Sequence, residues 1–361
     1  MTRLLEILIS LAIVAVLFLI VGLVLPSSRY LVERIETNRK ATIVFETLNS
    51  FARFKDWNAI PLRDPKMKVE ISGPDSGVGA TYSFKSEKSE VGNGTWKIVE
   101  SEPNERIAID IQDDRMGTGK HTEFKLTPTG KNKRNIEIVQ SYKVNYGWNL
   151  AGRYAGLYVR SHVGDDMKFS LAKLSASVLS SIPNVDYTTY GDKLTGLSIA
   201  AVPAEHLLVV SAGTQDFKDD VVTKSMHDNM EWINRSLAAS GLVATGPMRI
   251  ITSDLGSSKF TFDVAVPVRK ASAAEGAAAD TELTGLSLQG PVTYVFVPSH
   301  RAVTAKFTGF IGSLAGVHDA LHAWAAPRGL EVTDRPYEVF DNGIDGAFAQ
   351  DAKYTSYWTI K

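Results

Sequence analysis

The chain has 361 residues, 44% hydrophobic and 22% charged, which allows two or three domains with a buried core each. Lysine and arginine number 39 against 40 aspartate and glutamate, so no basic excess points to nucleic acid as a partner. Cysteine is absent, which excludes disulfides, thiolate metal sites and a cysteine nucleophile.

The first element is the run from Ile7 to Leu25, ILISLAIVAVLFLIVGLVL, which carries no charge. As a helix it would be roughly 28 Å long, close to the hydrocarbon thickness of a bilayer. A cleaved signal peptide would have a shorter apolar region, about 7–15 residues, and a small-residue cleavage site. Here Val24, Leu25 and Pro26 follow instead. Residues 1–28 are therefore expected to be a single-pass anchor that meets the membrane through residues 4–25. Counting only lysine and arginine, Arg29, Arg34, Arg39 and Lys40 outweigh Arg3 and put the remaining chain on the cytoplasmic side. A short N-terminus ahead of such a run argues for the opposite face.

Residues 29–181 read as one unit. Tyr30–Glu36 alternates like a half-buried strand, and Ala41–Phe51 reads as a short helix with Val44, Phe45, Leu48 and Phe51 on one face. A turn or helix at Phe54–Asn58 follows. Six strand-like runs come next: Lys68–Ile71, Ala80–Lys85, Gly94–Glu100, Arg106–Ile111, His121–Leu126 and Asn135–Tyr142. Glycine, proline and asparagine clusters separate them, as in an antiparallel meander. A long helix over Asp165–Ser181 carries Met167, Leu171, Leu174 and Val178 as its buried stripe. A curved sheet closed by one long helix leaves a cavity between the two. Trp57, Tyr82, Trp96 and Phe124 are its candidate walls, with Phe84, Tyr142 and Phe169. Arg106, Asp110, His121, Glu123 and Glu137 alternate with apolar residues and read as a solvated face.

The segments LPSSRYLVER, VFETLNSFARFKDWN, PKMKVEISGPDSGVGATYSFKSE and GNGTWKIVESEPNERIAIDI resemble the SRPBCC superfamily, also described as START-like or polyketide cyclase/dehydrase-like. The resemblance implies a helix-grip fold with a deep hydrophobic cavity, and it does not specify a reaction.

Residues 182–193 are polar and aperiodic and read as a linker. Residues 194–361 contain an internal repeat. Strand Glu205–Gln215, a helix ending at Gly241, then GLVATGPMRIITSD and FTFDVAVPV make one half. Strand His300–Gly309, a helix ending at Gly329, then GLEVTDRPYEVFDN and YTSYWTIK make the other. Each half is strand–helix–strand–strand, and the Ala-rich segment 270–284 between them reads as a loop. The expected class is thus α+β throughout, with a groove along the pseudo-twofold of the duplicated domain.

FDVAVPV at 262–268 and RPYEVFDN at 335–342 are similar to the GyrI-like, or bacterial transcription-activator effector-binding, domain. That resemblance implies a site for amphipathic or cationic aromatic small molecules. It also implies that Glu338 is the cation-recognising carboxylate, although Phe340 stands where the motif usually has tyrosine. Tyr337, Phe340, Trp324, Tyr294, Phe296, Phe307 and Trp358 are the aromatic candidates around it, with Phe310 and Tyr357. The two resemblances together imply a bacterial inner-membrane protein. His318 and His322 sit one helical turn apart around Asp319, but no third ligand follows, so no metal is expected. No cofactor and no catalytic residue is assigned. A membrane-held binding protein for a lipophilic or cationic aromatic molecule is the leading expectation. A cyclase- or hydrolase-type enzyme and a module for a protein partner are the alternatives.

Overall fold

The computed structural model describes residues 2–276, 279, 281–341 and 343–361. Met1 of the apolar segment, residues 277, 278 and 280 of the Ala-rich stretch, and Asn342 of the RPYEVFDN motif lie outside them. The chain divides into two compact units, Met1–Asn184 and Val185–Lys361.

In the first unit, α1 (Thr2–Val24) is long and apolar enough to cross a membrane, and nearly all its described side chains are exposed. Pro26 ends it, and β1 (Ser28–Thr37) starts at once. Three short helices follow: α2 (Ala41–Leu48), α3 (Phe54–Trp57) and α4 (Ala59–Arg63). α2 stops three residues before its expected end. Asn49 and Ser50 turn their side chains to Ser101 and to the carbonyl of Asp75, which competes with helix continuation. α4 is absent from the sequence reading; the Asn58 side chain caps it by accepting from the Ile60 N–H, and Pro61 lies in its first turn.

Six strands form the meander: β2 (Lys68–Ser72), β3 (Thr81–Lys85), β4 (Asn93–Glu102), β5 (Arg106–Asp113), β6 (Thr118–Thr129) and β7 (Asn135–Asn145). The sheet order is β1-β7-β6-β5-β4-β3-β2, antiparallel throughout. Alternate residues of β6 (Lys120, Thr122, Phe124, Leu126) and β7 (Ile136, Ile138, Gln140, Tyr142, Val144) are buried, so the pleat points one row of each strand inward. The helix over this face begins earlier than the apolar period suggests. A π-helical turn at Arg160–Gly164 leads into α6 (Asp165–Lys173), and a second π turn at Leu174–Val178 continues it. Before it lies α5 (Leu150–Ala155), which the sequence reading lacks. Met167, Leu171, Leu174 and Val178 form the buried stripe, while Phe169, expected on the cavity wall, points outward and is 52% exposed.

The second unit opens with a 3-10 turn, Tyr187–Lys193, inside the stretch read as a linker; Tyr187 is buried there. Half one runs β8 (Leu194–Val202), β9 (Glu205–Asp216), α7 (Asp219–Ser240), β10 (Leu242–Ala244), β11 (Arg249–Leu255) and β12 (Lys259–Lys270). Half two runs β13 (Thr293–Val297), β14 (His300–Thr308), α8 (Leu314–Ala325), β15 (Tyr337–Phe340) and β16 (Lys353–Ile360). Gly241 and Gly329 follow the helical segments of the two halves with φ of 61° and 74°, the left-handed conformation that closes a helix without a Cβ clash. The sheet order is β13-β9-β12-β11-β15-β16-β14-β8, with β10 on β12. β8 of half one therefore pairs with β14 of half two, and β13 of half two pairs with β9 of half one. The halves exchange edge strands, and they meet where Ile250 of β11 opposes Glu338 of β15.

Candidate functional site

The first unit brings all four of its expected wall residues into one aromatic cluster. Trp57, Tyr82, Trp96 and Phe124 are buried. Phe54 sits among them, 5.2 Å from Trp57, 4.8 Å from Tyr82 and 5.1 Å from Trp96, centroid to centroid. These rings fill most of the space under the helix. What is left is a partly open cavity of about 40 Å³, lined by Trp96, Ile111, Thr122, Gln140, Tyr142 and Ser170 among others. Of the four walls only Trp96 borders it. Among the described residues, Trp96 Nε1 and Gln140 Oε1 have no hydrogen-bond partner. The Gln140 Nε2 donates to Thr122 Oγ1 at 3.2 Å, and that hydroxyl donates to the Ser141 carbonyl. Both residues line the same small space. Burial pushes the Tyr82 phenol up to about 12 and raises that of Tyr142.

Arg115, Tyr142 and Val163 belong both to this cavity and to a larger open groove of about 870 Å³. The groove is walled by Val91, Met116, Tyr146, Tyr158 and Val159, with Arg63, Arg115, Lys120 and His162 as its basic groups and Glu90 and Asp114 as its acidic ones. Its size falls within the ~300–1,000 Å³ usual for small-molecule sites. His162 and Val163 reach it from the π turn, where the widened helix shifts side chains off the α-helical register. Beneath it, Lys120 is 4% exposed and is held by the Asp113 carboxylate. The Asp166 carboxyl borders the inner cavity. Burial raises its pKa, opposed by its ion pair with Arg63.

In the second unit, successive strand residues face opposite sides of the sheet. Glu338 faces the helices and is fully buried. Its Oε1 accepts from Ser356 Oγ at 2.8 Å and lies 2.6 Å from His318 Nε2, and its Oε2 accepts from Thr252 Oγ1 at 3.1 Å. Phe340 and Phe307 pack on Tyr354 on this side, and Trp358 contacts the rings of His318 and His322. Trp324 lies under the Arg328 guanidinium. Tyr294 and Phe296 gather around His206, whose Nδ1 is 2.9 Å from the Tyr294 hydroxyl.

The opposite face of the sheet carries a separate cavity. Tyr337 and Tyr357 stack on this face at 5.0 Å with an 11° interplanar angle. Arg249 lies 4.7 Å over Tyr337 and donates to both Glu205 carboxylate oxygens, at 2.8 and 2.6 Å. A cavity of about 150 Å³ is lined by this pair with Leu207, Val209, Ile251, Val295, Val297, His300 and Tyr337. Among the described residues, no three His, Asp or Glu side chains gather as metal ligands.

Residues 30–178 match the family described as polyketide cyclase/dehydrase and lipid transport. This segment is a polyketide cyclase/dehydrase domain of the SRPBCC type. A search among curated proteins finds no match. Three solved structures illustrate the wider similarity, each at 16% identity. The C-terminal domain of EcmrR covers 46% of this chain and 97% of its own at a TM-score of 0.35. A truncated norcoclaurine synthase from Thalictrum flavum covers 42% and 94% at 0.33. Protein CV1439 from Chromobacterium violaceum covers 42% and 98% at 0.29.

In the cyclase/dehydrase domain, sequence reasoning found the aromatic interior and missed Gln140, Thr122 and Arg115 on the cavity and Lys120 on the groove. For Gln140, Thr122 and Lys120 the signal was present, since each occupies an inward position of β6 or β7 beside buried apolar residues, whereas Arg115 lies in the turn between β5 and β6. In the second unit, Tyr337 alone among the ten site candidates named there lines the open cavity. Glu205 and Arg249 were passed over. Arg249 interrupts the apolar run Met248–Ile251, a mark of a charge with a specific partner.

Proposed function

We propose that this chain is a membrane-anchored binding protein for small lipophilic molecules, with the cyclase/dehydrase domain as the principal site. The observation that carries this reading is the groove of about 870 Å³ that shares Arg115, Tyr142 and Val163 with the inner cavity, where Trp96 Nε1 and Gln140 Oε1 are unpartnered. An apolar ligand body suits the groove. A hydroxyl at its tip suits the cavity, because it accepts from the tryptophan and donates to the amide oxygen. The lipid-transport description of the matched family agrees with such a ligand.

Retention of α1 as an anchor is supported by its packing. Gly22 is its buried position, and a Cβ there would stand 3.2 Å from the Tyr154 ring and 3.3 Å from Leu150. A leader removed after export would strip away this contact.

The second unit, read as a GyrI-like domain, would add a site for a planar cation at Tyr337 and Tyr357, with Glu205 as the nearby carboxylate. Glu338, implied by the resemblance as the recognising acid, can meet a ligand only if α8 carries His318 aside. The open face needs no such movement.

The test is organic extraction of the full-length protein, purified in mild detergent, followed by mass spectrometry. A lipophilic species recovered in near-stoichiometric amount, and lost from a Val163→Trp variant that fills the groove, is the expected result. Equal recovery from both proteins would show that the lipid belongs to the micelle around α1 and not to the groove.

A further inference from the structure

The last carbonyls of α1 converge on one side chain of α5. Arg153 of α5 is 8% exposed. Its Nη1 donates to the carbonyls of Gly22 (3.3 Å), Leu23 (2.9 Å) and Leu25 (3.2 Å), and its Nε and Nη2 both donate to the Gly147 carbonyl. The last carbonyls of a helix lack intrahelical donors and carry the negative end of its dipole, so a buried guanidinium there fixes α5 to α1. One residue further on, Tyr154 stacks on Phe18 at 4.3 Å and 8°, and its hydroxyl donates to the Phe18 carbonyl at 2.8 Å. Phe18 lies seven residues before Leu25, roughly 10 Å along the helix axis. If α1 spans the bilayer, the α5 turn cannot stay in water: the contact with Phe18 draws it below the level where α1 emerges.

The side chains around that turn suit this depth. Trp148 is 83% exposed, Tyr158 64% and Leu157 51%, on a stretch where a water-facing loop would carry polar residues. Tryptophan and tyrosine are the residues that settle at the boundary of headgroups and acyl chains. Ala155 and Tyr158 also wall the 870 Å³ groove, and the exposed Met116 stands on its rim.

We propose that Trp148, Leu157 and Tyr158 form a foot that inserts into the lipid leaflet beside α1, so that the mouth of the groove opens onto lipid and not onto water. The occupant of this apolar surface is the bilayer in which α1 sits, because the surface is continuous with the spanning helix through the Phe18–Tyr154 and Arg153 contacts. The proposal rests on the anchor reading above. It adds that the ligand enters the groove directly from the leaflet, without an aqueous step.

The chain has no cysteine, so single nitroxide labels can be placed without background. Full-length Leu157→Cys, Tyr158→Cys, Leu11→Cys and Glu105→Cys variants would be labelled and reconstituted into phosphatidylethanolamine/phosphatidylglycerol vesicles. Collision rates with oxygen and with a water-soluble nickel chelate then report depth. Labels at 157 and 158 are expected to favour oxygen several-fold more than the label at 105, as the label at 11 does. Nickel-accessible labels at 157 and 158 beside an oxygen-favoured label at 11 would overturn the foot and leave the anchor standing. Labels at 157 and 158 shielded from both reagents would also overturn it, since the occupant would then be protein or a second copy. A nickel-accessible label at 11 would remove the anchor itself.

Discussion

Glu338 and His318 face each other across the helix–sheet interface of the second unit, with the carboxylate Oε1 2.6 Å from the imidazole Nε2 and fully shielded from solvent. The register makes the relationship unusual. Glu338 opposes Ile250 at the junction of the two halves, so the repeat carries an isoleucine in one half and an acid in the other at the same structural level. A buried acid at this point survives because Thr252, Ser356 and His318 together supply three donors.

Removing that acid should therefore be costly. Glu338→Ala strands three buried donors and opens a cavity, and a loss of about 3 kcal/mol or more is expected. Glu338→Gln keeps the volume and one acceptor and should lose about half as much. Calorimetry of the full-length protein in detergent should show the second unit's transition falling in that order. Equal stability of wild type and Glu338→Ala would mean that the carboxylate is held for binding and contributes nothing to folding.

Arg249 and Glu205 tie β11 to β9 across the intervening β12, with side-chain exposures of 10% and 17%. Breaking such a partly buried pair from one side costs more than removing both charges. Arg249→Met alone should destabilise by about 2–3 kcal/mol, whereas Arg249→Met combined with Glu205→Gln should recover most of that loss. The same single substitution frees Glu205 beside Tyr337 and Tyr357, so binding of ethidium, a planar aromatic cation, followed by titration calorimetry, should tighten. Weaker binding in Arg249→Met would place the cation elsewhere.

The legible part of the fold was what side-chain period encodes. The alternation in β6 and β7 and the Met167–Val178 stripe each follow from one buried face, and a single strand or helix reveals them. What escaped depends on partners distant in sequence. α5 carries a weak apolar pattern, and its place is set by Arg153 reaching carbonyls about 130 residues away. β8 and β13 are edge strands exchanged between halves, so each is stabilised by a strand of the other half and shows little period of its own. Glu338 stood out as an acid among aromatic residues, but which face of the sheet it takes depends on register, and its meeting with His318 depends on where α8 docks. The open-face pair Glu205–Arg249 joins two strands separated by a third, so the interrupted apolar run at Arg249 signals a partner without saying which residue it is.

His322 sits half-buried beside Trp358, and burial lowers its pKa below the ordinary histidine value, with Asp319 opposing. A depressed folded pKa means that the unfolded chain takes up the proton first. As pH falls through about 6.5, the unfolded state gains protons that the folded state does not, and stability declines until the folded group also titrates. His322→Gln should flatten this acid-side decline and leave the melting temperature at pH 8 nearly unchanged. Parallel melting curves for wild type and variant between pH 8 and pH 5 would show that another group governs the decline.

Gln140 offers the sharpest separation of binding from folding. Among the described residues its amide oxygen lacks a partner, while its Nε2 donates to Thr122. Gln140→Leu removes a desolvated acceptor and loses that bond, two effects of opposite sign and each about 1 kcal/mol. The melting temperature should therefore move little. If the inner cavity receives a hydroxyl from the ligand, the same change deletes the acceptor for its proton and leaves Trp96 Nε1 as its remaining partner. Retention of an extracted, hydroxylated lipophile should then fall about tenfold, the value of one well-formed hydrogen bond in a dry site. An unchanged melting temperature with unchanged retention would move the ligand out of the cavity and into the outer groove alone, where Val163→Trp would still exclude it.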